Sequence, residues 1–231
     1  MTRITKHLVN LQNRISAACA RAGRNENDVS VLAVSKRHPV AAVREAYAAG
    51  LHAMGENYLQ DALQKIPECP PGICWHYIGR VQSNKTRALA EHFDWIQTVA
   101  SPKVARRLSE QRPADLTPLN ICVQVNTDRD ADPNHRHGGV EPAAAGDLCE
   151  LIAGLPNLRL RGLMTIPRPA AGEAEQREPF ARLHALYDEC NTAGLGMDTL
   201  SMGMTNDLEA AILEGSTMVR VGTALFGPRP D

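Results

Sequence analysis

Short apolar runs alternate with amphipathic stretches along almost the whole chain, and nothing else in the sequence limits the possible folds as strongly. The runs at 29–35, 51–55, 74–79, 94–99, 119–126, 158–166, 199–202 and 218–221 are strand-length and nearly continuous in apolar character. Helical stretches separate them: 40–49, 57–67, 83–92, 101–111, 143–153, 175–193 and 206–215. Strands without polar alternation are buried on both faces, which implies a parallel sheet covered by helices. Eight such units predict a single α/β domain over 1–231, a (β/α)8 TIM barrel; an open doubly wound sheet is the alternative. Ile4, Leu8, Leu11 and Ile15 recur at helical spacing and add an N-terminal helix in front of the barrel. Ser101-Pro102 is an N-cap and first-position pair, and Asn57-Tyr-Leu-Gln60 and Asn206-Asp-Leu-Glu209 have capping-box spacing.

Charge and composition exclude several partners. Twenty-five basic and 26 acidic residues leave a net charge of −1, which recommends neither nucleic acid nor an anionic membrane. An aromatic share of 4% is poor material for base stacking. No segment approaches the roughly 20 apolar residues that span a bilayer. Arg3, Lys6 and Arg14 break up any signal-like apolar stretch at the start. Cys19, Cys69, Cys74, Cys122, Cys149 and Cys190 include no C-x-x-C pair and mostly sit in apolar surroundings, so a reduced cytoplasmic protein is expected. A monomer is the expectation, since no apolar stripe stands out.

In a barrel, reactive groups lie at the C-terminal strand ends, and phosphates often bind at the loops after strands seven and eight. Ser201-Met202-Gly203 ends the seventh run and Gly222-Thr223 follows the eighth. Small residues there let backbone N–H groups approach a phosphate, with the Ser201 and Thr223 hydroxyls as further donors; tight turns are the plainer explanation for either loop alone. Lys36 ends the first run directly after uncharged residues. Most lysines are solvated surface charges, but one held among apolar groups favours its neutral amine, which can form a Schiff base. Arg220, inside the last apolar run, needs a partner: a carboxylate, a ring nitrogen or a phosphate.

Two other constellations point elsewhere. Gly79 to Thr86 fits the phosphate-cradling pattern G-x-x-x-x-G-K-[ST] except at Asn84, where the loop needs glycine, so Lys85 reads as a residue near a helix start. His135-Arg-His137 with Asp128, Asp130 and Asp132 crowds one polar loop without the spacing of a structural zinc site, so a solvated loop is expected and no metal.

Val34-Ser-Lys36, Gly55-Glu-Asn-Tyr58, Trp75-His-Tyr-Ile-Gly79, Gln82-Ser-Asn-Lys85, Arg161-Gly-Leu-Met164, Leu200-Ser-Met-Gly-Met204 and the run from Val219 to Gly227 together resemble the pyridoxal phosphate homeostasis proteins, in order and over nearly the whole chain. The resemblance implies a fold-type III barrel like the N-terminal domain of alanine racemase, without that enzyme's C-terminal β domain. It also implies that Lys36 holds pyridoxal 5′-phosphate as a Schiff base. Ser201, Met202, Gly203, Gly222 and Thr223 would then surround the phosphate, Arg220 would face the pyridine nitrogen, and Asn57 would lie beside the cofactor. The implied function is intracellular carriage or buffering of the cofactor without a dedicated reaction, with apo-enzymes as transient acceptors. A fold-type III racemase or decarboxylase, and an adaptor with a vestigial site, are the competing functions. The family pattern has a lysine before the glycine preceding the next helix, where this chain has His137-Gly138-Gly139.

Overall fold

Eight parallel strands pair in sequence order and the last closes on the first, making a barrel. The computed structural model describes residues 2–128 and 138–228. The strands are β1 Ser30–Val34, β2 Ala53–Glu56, β3 Cys74–Tyr77, β4 Trp95–Val99, β5 Leu119–Gln124, β6 Leu158–Met164, β7 Thr199–Ser201 and β8 Met218–Val221. The helices are α1 Arg3–Ala22, α2 Val40–Ala48, α3 Leu59–Lys65, α4 Thr86–His92, α5 Pro102–Gln111, α6 Ala145–Ala153, α7 Glu173–Thr192, α8 Leu208–Leu213 and α9 Thr223–Phe226. The (β/α)8 expectation holds. The open-sheet alternative fails at one place, the β8–β1 ladder, where Leu32 pairs with Arg220 and Ala33 with Val221.

The eighth helix, α9, is only one turn long, and α1 completes the outer layer beside it. Thr2 caps α1 by accepting the Thr5 N–H, and Ile4, Leu8, Leu11 and Ile15 are all buried. Arg3 donates to the carbonyl of Phe226 at the end of α9. Arg24 donates to the carbonyls of Ile212 and Ser216, binding acceptors that the end of α8 leaves over.

Ser101 caps α5 as its sequence suggests, accepting the Val104 N–H at 3.4 Å behind Pro102. Neither capping box forms. The cap of α3 is Tyr58, and α8 starts after Asp207, with no side-chain cap at either. The Asp207 carboxylate instead accepts the Met204 N–H at 2.5 Å, which draws the loop between β7 and α8 into a tight turn.

A polar column runs through the barrel interior. The His76 ring stacks on Trp95 with centroids 5.0 Å apart, and its Nδ1 accepts the Gln97 amide N–H at 2.9 Å. The Ser201 hydroxyl donates to Gln97 Oε1 at 2.7 Å and accepts from Arg220 Nη1 at 2.9 Å. Because the Gln97 amide must donate to Nδ1, His76 is neutral in the fold. Burial, and secondarily the charge of Arg161, pushes its pKa from the ordinary 6.5 down to about 3. The unfolded chain therefore binds a proton that the fold refuses between those values, so His76 stability is complete above pH 6.5 and is lost on acidification. Denaturant melts should show stability falling by about 1.4 kcal/mol per pH unit from this group between roughly pH 6 and pH 3. His76→Gln, which can still accept from Gln97, should flatten that part of the profile; an unchanged acid slope would contradict the assignment.

Candidate functional site

The C-terminal ends of the strands surround a cavity of about 610 Å³. Val34 and Lys36 reach it from β1, Asn57 from β2, Gly79 and Arg80 from β3, Ile166 and Pro167 from β6, Met204 to Asp207 from the loop after β7, and Arg220, Gly222 and Thr223 from β8. This is the end of a (β/α)8 barrel where reactive groups collect. A smaller cavity of about 380 Å³ beyond β4 shares only Arg80 with it.

Lys36 is half-buried in a tight turn closed by the His38 N–H on the Ser35 carbonyl, 3.0 Å. The next residue, Arg37, has φ 62°, a left-handed conformation that costs any side chain with a Cβ about 1–2 kcal/mol.

Arg220 is 3% exposed, and its charge is held by neutral groups. Nη1 donates to the Ser201 carbonyl at 2.6 Å as well as to its hydroxyl, and Nη2 donates to the Thr165 carbonyl at 2.7 Å. No ion pair to Arg220 occurs among the described residues. Desolvation brings its pKa down to about 10, opposed by the charge of Asp207. Asn57 Oδ1 is buried and has no hydrogen-bond partner among the described residues. Arg220, without an ion pair among the described residues, and Asn57, whose buried Oδ1 has no partner among them, thus line one cavity. Each lacks what a polar, anionic ligand would bring.

Of the eight expected site residues, Lys36, Asn57, Arg220, Gly222 and Thr223 line this cavity, and Ser201, Met202 and Gly203 do not. Both hydrogen-bonding functions of the Ser201 hydroxyl are used inside the polar column. Met202 is fully buried. The Gly203 carbonyl accepts the Arg220 N–H at 2.9 Å, and at φ 94° a side chain there would strike Ala211 Cβ at 2.6 Å. Ser201 and Gly203 hold Arg220 from behind, and Met202 between them donates its N–H to the Met218 carbonyl at 3.1 Å. Their place in the wall is taken by Met204 and Thr205, whose hydroxyl accepts the Ala224 N–H at 3.4 Å.

Thr86 of the near-miss phosphate pattern is fully buried, donates to the Ser83 carbonyl and accepts from Arg107 Nε, so its hydroxyl serves the α4–α5 packing. His135, Arg136, His137, Asp130 and Asp132 lie outside the described residues. Among the described residues no cluster suited to a metal ion occurs, and no helix is long and apolar enough to cross a membrane.

The fold and cavity define a class: a (β/α)8 barrel whose first strand ends in a lysine facing a small-residue turn after the last. The family model described as "Alanine racemase, N-terminal domain" matches residues 7–230. A "Pyridoxal phosphate homeostasis protein" of Pseudomonas aeruginosa is 54% identical over 230 residues, covering 99% of this chain and 97% of that protein. The structure of PipY from Synechococcus elongatus with pyridoxal phosphate bound superposes with TM-score 0.83 at 36% identity, covering 97% of this chain and all of PipY. An alanine racemase of Clostridium difficile has the same fold, TM-score 0.73 at 15% identity, and this chain spans 57% of its length. The chain therefore belongs to the alanine racemase N-terminal domain family, and within it to the pyridoxal phosphate homeostasis proteins.

Gly79 shows how tightly the site is built: a Cβ there would lie 2.3 Å from the Asn57 carbonyl oxygen. Gly79→Ala should therefore displace the β2 end and cost about 1–3 kcal/mol in a denaturant titration, as overpacking does. An unchanged midpoint would mean that the Asn57 backbone is free to move.

Proposed function

We propose that the chain binds pyridoxal 5′-phosphate through Lys36 and holds it in reserve for other proteins, without a dedicated reaction of its own. The observation that carries this reading is the single cavity whose wall combines Lys36, Asn57 and Arg220, the last without an ion pair among the described residues. The residues fit the group. Lys36 supplies the amine for its aldehyde, and Thr205, Gly222 and Thr223 offer small or hydroxyl-bearing contacts for its phosphate. Arg220 supplies a donor for the ring nitrogen, and Asn57 lies beside the ring. Ser201 and Gly203 act through Arg220, whose direction they fix.

Pyridoxal phosphate supplies an electron-withdrawing ring that stabilises negative charge on an attached amino acid, most strongly when its nitrogen is protonated. Arg220 keeps its own proton, so it favours the unprotonated ring nitrogen and weakens that withdrawal. A weak electron sink beside a reversible attachment point suits storage better than turnover. The name of the Pseudomonas aeruginosa relative and the ligand of PipY support the same reading. Apo-enzymes would be the acceptors. All six cysteines are free thiols, which suits a reducing cytoplasm.

Added pyridoxal phosphate should give a violet absorption band that borohydride fixes onto the Lys36 peptide in a mass map. Lys36→Ala should give neither band nor adduct. An adduct mapped to another lysine, or covalent binding by Lys36→Ala, would refute the attachment. Racemisation or decarboxylation of any amino acid by the loaded protein, at rates typical of enzymes, would replace the carrier reading with a catalytic one.

A further inference from the structure

Directly behind the Lys36 turn lies a buried ionic cluster for which cofactor binding has no evident use. Lys65, the last residue of α3, is 4% exposed, and Glu56, the last residue of β2, is fully buried. Lys65 Nζ donates to Glu56 Oε1 at 2.7 Å and to the Ser35 carbonyl at 3.0 Å, and pairs with Asp61 at 3.0 Å. The Ser35 hydroxyl donates to the same Glu56 oxygen at 2.7 Å. On the other side of Lys36, the Arg37 N–H meets Asp61 Oδ2 at 3.4 Å, and the Arg37 guanidinium lies over the Tyr58 ring at 5.5 Å.

Four of these contacts fall on a neighbour of Lys36 in the chain, and the two ion pairs of Lys65 tie their partners together. Ser35 is held by its carbonyl and its hydroxyl, and Arg37 by its N–H and its side chain. Left alone, a turn with a non-glycine residue at φ 62° would relax, and it persists only where its surroundings over-determine it. Ordinary packing does not require a lysine here, since an apolar side chain could fill the space between α3 and β2 without desolvating a charge.

We infer that Lys65 is a positioning residue: with Glu56 and Asp61 it clamps the Ser35–His38 turn and so aims the Lys36 amine at an aldehyde in the cavity. The inference rests on the reading of Lys36 as the attachment point. Attachment joins the Lys36 nitrogen to the aldehyde carbon as a C=N bond and releases one water, so it depends on the approach of one nitrogen. Of the phosphate and ring contacts proposed above, Thr205, Arg220, Gly222 and Thr223 come from β8 and the loops after β7 and β8, which the clamp does not touch, and only Asn57 adjoins it.

The test separates these two parts of binding. Pyridoxamine 5′-phosphate offers the same ring and phosphate but no aldehyde, whereas pyridoxal 5′-phosphate adds the covalent step. In Lys65→Met the ratio of the pyridoxal phosphate dissociation constant to that of pyridoxamine phosphate should rise about tenfold to a hundredfold, the scale set by small misplacements of a reacting group. Pyridoxamine phosphate affinity itself should stay within about twofold of the parent protein, well under 1 kcal/mol. Should Lys65→Met not fold because Glu56 is left without its partner, the double variant Lys65→Met/Glu56→Gln removes both charges and carries the same expectation. Equal losses for both ligands would make Lys65 merely structural, and no loss for either would make it dispensable. Both outcomes overturn the inference. If the parent protein itself forms no borohydride-fixed adduct, the attachment reading fails first and takes the clamp with it.

Discussion

The β8–β1 ladder is the interaction on which the site depends. Four register pairs, from Ser30 with Met218 to Ala33 with Val221, bring the first strand against the last. Lys36 and the Gly222-Thr223 turn, far apart in sequence, thereby emerge at neighbouring strand ends on one rim. Parallel closure also means that all eight strands release their following loops at the same face, so Asn57, Gly79 and Thr205 arrive there too. Beside the one-turn α9, α1 packs on α8 and α9, and Arg3 and Arg24 bind the carbonyl ends of α9 and α8.

Inside the closed barrel the energetics divide between an apolar shell and a polar column. Strand faces toward the helices are apolar at positions such as Ala33, Ile96, Val123 and Leu163, all fully buried. The column of His76, Gln97, Ser201 and Arg220 does the opposite, taking polar groups out of water along a chain of hydrogen bonds. Such a chain adds little net stability over a well-packed apolar core and is costly if broken. Its value lies in direction. Each donor in turn is committed away from Arg220, which leaves the Ser201 oxygen no alternative but to accept from the guanidinium. The buried charge is thus oriented by neutral groups without being neutralised.

The architecture was legible from apolar runs alone, because strands buried on both faces leave an unbroken signal and eight of them leave few topologies. The place of Lys36, Gly222 and Thr223 on the cavity wall was legible because they stand just beyond strand ends, where the direction of a side chain matters less than its position. That Ser201 stands outside the cavity wall was not legible, for the converse reason. It lies within a three-residue strand that offers no period from which to read which way it faces, and it points into the column. The two failed caps share a setting: Asn57 and Asn206 both line the cavity, and the helices start one residue or more beyond them. Lys65 gave no signal, since a lysine near a helix end looks solvated unless its partners Glu56 and Ser35 are known to converge on it. His137, at which the resemblance set this chain apart, lies outside the described residues.

The most direct test of this account is a crystal structure of the protein with pyridoxal 5′-phosphate. Continuous density should join Lys36 Nζ to the ligand, with the phosphate between Thr205 and the Gly222-Thr223 turn and the Arg220 guanidinium at the ring nitrogen. Ligand density in the cavity beyond β4, or bound at this rim without a bond to Lys36, would contradict it.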